Sequence, residues 1–404
     1  MKITLDISNE AYFIVQKLKN AGYEAYIVGG AIRDMLLGKT PKDFDISTSA
    51  TPEQIRQVFG RRFCRIIGKR FRLAHVIKGG EIYEVSTFRR MPKQPTGPAH
   101  KIDVEDKEAA SKLLLYDNVY GTAKEDANRR DFTVNALFYD PFKNKILDFT
   151  GLGLQDIENK VVRVIGEPKL RFQEDPVRML RGLKLVALYD FSMDDATENA
   201  LFNNMHLLEC VPVSRLSLEL EKIIQATYSD RHLQVFHEYG LLKYFLPYIE
   251  EHWFTPQVKD SLSLIYERNC RVDEYLYRNS ISLAIACFII PFVEKELNRT
   301  PGTVWFPGEQ ANNVIRKVID KVFYPLCFME RVKLAVVRNL DVMVKMEFFD
   351  KLNIKPHTIM ANNGYLHGRE LQIIRYTLQG KDLDIFEDLW YKTSASKYPR
   401  RRSR

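Results

Sequence analysis

The sequence predicts an α+β chain: a small mixed β-sheet within residues 1–150, followed by all-α domains. Two observations carry this. Short β-like runs (EAYIVGG, DFDIS, FRLAHVI, EIYEVSTF, ALFYD, KILDF) mix with helical patterns up to about residue 150. From about Asp156 onward apolar residues recur at spacings of three and four, as in PVRMLRGLKLVALYDF and SRLSLELEKIIQATYSDRHLQVFHEYGLLKYF.

Composition agrees with this reading. The 404 residues leave room for two or more domains, and an apolar content of 45% suffices for globular cores. A formal charge of +8 fits a polyanionic partner such as nucleic acid, and equally a basic enzyme of small anions. Cys64, Cys210, Cys270, Cys287 and Cys327 show no CxxC or Cys/His spacing, which indicates neither a zinc site nor a disulfide framework. The N-terminus lacks a signal-peptide pattern, so a cytoplasmic location is expected. The most apolar segment, ISLAIACFIIPFV (281–293), is shorter than the ~20 residues that span a bilayer and contains a proline. It predicts a buried helix, and no membrane association is expected.

The first element with chemistry is YIVGGAIRDMLLGKTPKDFDI, Tyr26 to Ile46. In an extended segment Asp43 and Asp45 point to one side and Phe44 and Ile46 to the other. Two carboxylates on one face repel unless a cation lies between them. Alone, such a pair fits a solvated edge strand; Gly29 and Gly30, between a strand and the short helix AIRDMLLG, shift the reading. Glycines there allow backbone amides to face an anion, with Arg33 one turn along, although a tight turn needs the same residues. Glu84, between apolar neighbours in EIYEVSTF, is either a third acid bound to a cation or an exposed strand residue. Two Mg²⁺ ions held by such acids are the usual means of activating a hydroxyl and stabilising the leaving phosphate in phosphoryl or nucleotidyl transfer.

The later elements add basic and acidic groups. IIGKRFRLAHV (66–76), within RRFCRIIGKRFR, interleaves Lys69 and Arg70 with Phe63 and Phe71; the mixture suits an RNA backbone or a hairpin with a solvated face. Residues 89–112 are polar and contain prolines, which predicts a mobile or functional loop. RRDFTVNAL places Arg129, Arg130 and Asp131 before an apolar helical pattern. EDPVRMLR spaces Asp175, Arg178 and Arg181 by three along one helix face, which also suits a surface ion-pair ladder. The tail from Lys392, including Arg400, Arg401 and Arg402, is basic without acids and would add salt-dependent RNA affinity.

Taken in order, GGAIRD with KDFDI, EVSTFR, RRDFTVNAL and EDPVRMLR resemble the motifs of the nucleotidyltransferase branch that holds bacterial tRNA CCA-adding enzymes and bacterial poly(A) polymerases. The resemblance covers residues 20 to about 190 strongly and 205 to 250 more weakly. It implies a catalytic head (1–150), a helical neck (151–250) that recognises the base, a helical body (251–390) for RNA and a basic tail (391–404). It further implies that Asp43 and Asp45 hold metal, with Glu84 or Asp131 as third catalytic acid. Gly29, Gly30, Arg33 and Arg130 would bind the nucleotide, while Asp175 and Arg178, supported by Arg181, would read its base. The pattern over 66–76 is similar to that which marks poly(A) polymerases, so adenosine addition to RNA 3′ ends is expected, with CCA addition from CTP and ATP as the alternative. A non-catalytic RNA-binding protein on the same fold is the remaining reading. The expected partners are RNA 3′ ends and ATP, with two Mg²⁺ ions as cofactors and the chain acting as a monomer.

Overall fold

A computed structural model of the chain describes residues 3–68, 72–90 and 119–391. These form two compact units, Met1–Asn204 and Met205–Arg404. Lys69, Arg70, Arg400, Arg401, Arg402 and nearly all of the 89–112 loop fall outside the described residues.

Seven strands organise the first unit: β1 (Ala25–Val28), β2 (Asp45–Thr48), β3 (Cys64–Ile67), β4 (Leu73–Lys78), β5 (Glu81–Thr87), β6 (Leu137–Asp140) and β7 (Lys145–Asp148). Their order is β3-β4-β5-β2-β1-β6-β7. Only the β2–β5 pair is parallel, so the sheet is mixed as the sequence predicts. Because β2 lies between β5 and β1, the aspartates do not belong to an edge strand.

Two rows of side chains, offset by one residue, give the sheet its two faces. Ile66, Ala74, Val85, Ile46, Ile27, Tyr139 and Ile146 are successive partners across the strands. Helices α1 (Asn9–Asn20) and α3 (Pro52–Phe59) pack over these strands, burying Ala11, Ile14, Val15 and Leu18 from the one and Ile55 and Phe59 from the other. Each of the larger side chains among them stabilises the fold by roughly 1.5–3 kcal/mol when fully buried. A slip of one residue would put acids into that layer, so the apolar row fixes the register. Ser8 caps α1, and Thr51 with Gln54 closes a capping box on α3.

The neighbouring row faces the other way and reads Arg65, His75, Glu84, Asp45, Val28, Phe138 and Leu147. Its apolar end is sealed with α4 (Ala123–Arg129) in a cluster of Val28, Phe138, Phe88, Ala123, Ala127, Ala136 and Ile165. Its polar end stays open, with Asp45 and Glu84 exposed.

Helices follow the sheet: α5 (Gly153–Glu158), α6 (Pro168–Glu174), α7 (Val177–Tyr189) and α8 (Asp195–Asn204). Pro176 separates α6 from α7 because it restricts the residue before it and donates no hydrogen bond. At Gly182 helix α7 crosses Phe132 so closely that a Cβ would lie 2.9 Å from the ring.

The second unit is helical. Its segment Ile281–Glu296 is a helix buried continuously from Ser282 to Glu294, as predicted, with Pro291 inside it. It packs against the helices Pro256–Asp273 and Glu330–Phe348. Two buried ion pairs lie there: Arg375 with Glu294 at 2.6 Å and Arg271 with Glu370 at 2.5 Å. No helix among the described residues is long and apolar enough to cross a membrane.

Candidate active site

The open end of the polar row brings three predicted acids together. Asp45 opens β2, Asp43 stands two residues before it, and the pairing of Ile46 with Val85 sets Asp45 beside Glu84. Glu84 is exposed, which removes the reading of it as a buried acid; its neighbour across β4 is His75, whose Nε2 lies 3.6 Å from its carboxylate. Asp45 keeps solvent-accessible surface, yet the protein packed around it desolvates the carboxyl and pushes it above the usual carboxylate range, with repulsion from Glu84 next, Arg130 opposing and Asp43 adding. Among the described residues no group of three or more His, Cys, Asp or Glu side chains converges as a metal cage. Mg²⁺ does not require one, since it is commonly held by one or two carboxylates plus substrate phosphates. A repelling, oxygen-only donor set fits that hard cation.

Arg130 faces these acids. Its Nη2 donates to Ser47 Oγ at 3.1 Å and to Asp126 Oδ2 at 3.1 Å, and its guanidinium stands 5.1 Å from the Phe138 ring centre. Ser47, on the same strand face as Asp45, also pairs with Ser86 at 2.8 Å. Gly29 takes φ +78°, and a Cβ there would stand 3.4 Å from Arg130 Nη1. The glycine is thus needed for a left-handed turn against a guanidinium.

Arg33 sits differently from the expectation of an anion ligand. It is buried, and its guanidinium donates to Asp34 Oδ1, to Tyr189 Oη at 2.6 Å and to Asn135 Oδ1 at 2.5 Å. Four of its five N–H donors are thereby committed within the protein.

Two local expectations need correction. RRDFTVNAL does not start a long helix: Arg129 ends α4, Thr133–Asn135 is a single 3₁₀ turn, and β6 follows. Asp131 accepts from Phe132 N–H at 2.8 Å and Asn135 Nδ2 at 3.3 Å, and stands 3.8 Å from Arg181 Nη1. Likewise Asp175 does not share a helix with Arg178 and Arg181. It occupies the break before α7, where Oδ1 accepts from Val177 N–H at 3.2 Å. Arg178 turns back instead to Glu174 at 3.2 Å and to the Arg171 carbonyl at 2.6 Å.

Residues outside the predicted set tie these parts together. Arg171 donates to the carbonyls of Arg129 and Arg130 at 2.6 and 2.7 Å and to Glu174 at 2.7 Å, so α6 braces the backbone that carries Arg130 and Asp131. Its burial lowers its pKa, and nearby Arg178 lowers it further. Asp126 holds Arg129 and Arg130 at spacings of three and four, a helical signal present in DANRR. No sequence signal points to Arg171, whose carbonyl partners lie 42 and 41 residues away.

Residues 25–163 match the Poly A polymerase head domain, and residues 190–252 match the probable RNA and SrmB-binding site of polymerase A. Poly(A) polymerase I of Haemophilus influenzae is 34% identical over 96% of this chain and 84% of its own length. Poly(A) polymerase I of Escherichia coli O157:H7 is 38% identical over 72% of this chain, which spans 62% of that relative. A CCA-adding enzyme of Geobacillus stearothermophilus is 35% identical over 58% of the chain and 54% of its own length. Among solved structures, the Bacillus stearothermophilus CCA-adding enzyme in complex with CTP superposes with a TM-score of 0.61, at 25% identity over 96% of this chain and 82% of that one. A tRNA nucleotidyltransferase complexed with a primer tRNA and an incoming ATP analogue shares the fold, with a TM-score of 0.59 at 22% identity over 93% of this chain and 98% of that one.

Proposed function

Because the chain belongs to the nucleotidyltransferase family of poly(A) polymerases and CCA-adding enzymes, we propose that it adds AMP from ATP to RNA 3′ ends without a template. One observation favours this over CCA addition: the likeness to a poly(A) polymerase I extends over 96% of the chain, against 58% for a CCA-adding enzyme at similar identity. The stretch 66–76 points the same way, whereas the fold shared with a CTP-bound CCA-adding enzyme keeps the second reading in play.

In the proposed reaction the RNA 3′ oxygen attacks the α-phosphorus of ATP. The bond to the bridging oxygen breaks, pyrophosphate leaves, and the hydroxyl proton passes to water. Asp43 and Asp45 would hold two Mg²⁺ ions, which when bound would ease ionisation of the 3′-hydroxyl and neutralise the departing pyrophosphate. Glu84 completes the row beside Asp45, while Asp131, held by Asn135 and Phe132, orients the nucleotide sugar. Arg130, beside the Gly29–Gly30 turn, neutralises the triphosphate, and Arg33 supports that turn from beneath. Asp175 and Arg178 read the base edge with Arg181 behind them, since a carboxylate and a guanidinium fork are both bidentate. Lys69, Arg70 and the arginines 400–402 would attract the RNA backbone, with the head (1–150), neck (151–250) and body (251–390) dividing the work in the cytoplasm.

The test is a double variant. Asp43→Ala/Asp45→Ala should abolish AMP transfer while circular dichroism and thermal melting stay close to the wild type. Transfer retained in that variant would contradict the catalytic assignment, whereas an RNA-binding module would keep its function without these acids.

A further inference from the structure

Helix α7 carries Arg178 and Arg181 near its start and Tyr189 at its end. Tyr189 is clamped on several sides. Its hydroxyl accepts from Arg33 Nη2 at 2.6 Å and donates to Asp34 Oδ1 at 2.5 Å. Its ring has the Arg33 guanidinium and the Lys39 ammonium each 4.5 Å from its centre, and Lys39 also donates to the Leu188 carbonyl at 3.2 Å. Burial first, and the Asp34 contact as well, push its phenol well above the ordinary range, so it stays neutral and can serve as donor and acceptor together. The same Arg33 reaches Asn135, and Asn135 reaches Asp131. One chain of contacts therefore runs from the end of α7 through α2 (Gly30–Leu36) to the residue beside Arg130.

Between its ends α7 rests on Phe132 at Gly182, where there is no room for a methyl group. A tilt of α7 would pivot at that contact. At 1.5 Å per residue, Tyr189 lies about 10 Å from Gly182 along the axis and Arg178 about 6 Å on the other side. A shift of about 1 Å at Tyr189 tilts Arg178 by roughly 0.6 Å, enough to spoil hydrogen bonds that need 2.7–3.2 Å. Displacements of this order cost up to about 100-fold in rate.

We infer that Tyr189 is a positioning residue whose clamp by Arg33, Asp34 and Lys39 sets the tilt of α7 and thereby the discrimination between ATP and CTP. This rests on the reading that the start of α7 meets the base.

Steady-state kinetics with ATP and CTP separately on an unstructured RNA test it, in the wild type, Tyr189→Phe and Lys39→Met. Tyr189→Phe keeps the ring and loses only the hydroxyl. The expected result is a fall of about 10-fold in kcat/KM for ATP, carried mainly by KM, with less than about a twofold change for CTP. Lys39→Met, at an exposed position, should shift the ratio in the same direction by a smaller factor and carries the test by itself if Tyr189→Phe does not fold. An ATP-to-CTP ratio within about twofold of wild type in every folded variant, with a lowered Tm alone, overturns the inference and leaves Tyr189 structural. A wild type that does not distinguish ATP from CTP overturns the base-reading assignment itself, and this inference with it.

Discussion

At the residue scale, geometry decides which of several charged side chains face the nucleotide and which hold the machinery still. Gly29 illustrates it: φ +78° with ψ −139° is a conformation that favours glycine, so Gly29→Ala carries a backbone cost of about 1–3 kcal/mol at a turn whose added Cβ would touch Arg130 Nη1 at 3.4 Å. AMP transfer by that variant should fall by more than about 10-fold while the Tm drops only a few degrees; unchanged transfer would show that Arg130 need not stay where it is. The aspartate pair stood out in the sequence only with Gly29 and Gly30 before it, since alone it fits a solvated edge strand. Glu84 was half legible, since a strand pattern marks it but cannot say that the neighbouring strand sets it beside Asp45. The internal partners of Arg33 were not legible for a similar reason: Asn135 and Tyr189 lie 102 and 156 residues away, beyond any spacing rule.

At the element scale, the strands beginning in EAYIVGG, DFDIS and EIYEVSTF appear where alternation and glycines predicted them, because their apolar row is continuous from Ile66 to Ile146. Helix starts were less legible. The motif EDPVRMLR looked like one helix face, yet Pro176 breaks it and leaves Asp175 in the gap. In the second unit a buried ion pair offers a clear test of packing. Burial pushes the Glu294 carboxyl above its ordinary range, and Arg375 at 2.6 Å offsets part of that shift. A group whose pKa is raised on folding stabilises the protein below its unfolded pKa, and that contribution is lost as pH rises through the folded value. Arg375→Met removes the offset, so it should destabilise by about 3–5 kcal/mol at pH 8 and by less at pH 5, with Glu294→Gln recovering much of the loss. Thermal melts at both values check this; equal deficits at pH 5 and pH 8 would show that Glu294 is not the group left uncompensated.

At the scale of the whole molecule, a net charge of +8, carried by a chain with a mixed sheet in its first unit and helices throughout its second, suits a long polyanion. If phosphate contacts dominate, log affinity for single-stranded RNA should fall linearly with log salt, and a salt-independent affinity would point to base contacts alone. The sequence made the order of sheet and helices legible because hydrophobic periodicity changes from two to between three and four near residue 150. It left illegible how α6 braces Arg130 through Arg171, because carbonyl partners carry no side-chain signature. The central claim, adenosine addition by this site, meets its most direct test in one extension assay. The protein is incubated with Mg²⁺ and two end-labelled RNAs, an unstructured oligomer and a tRNA lacking its terminal CCA, with each nucleoside triphosphate separately and then with all four. A long ladder on the oligomer with ATP alone is the predicted result; growth that stops after three nucleotides on the tRNA and requires CTP would contradict it.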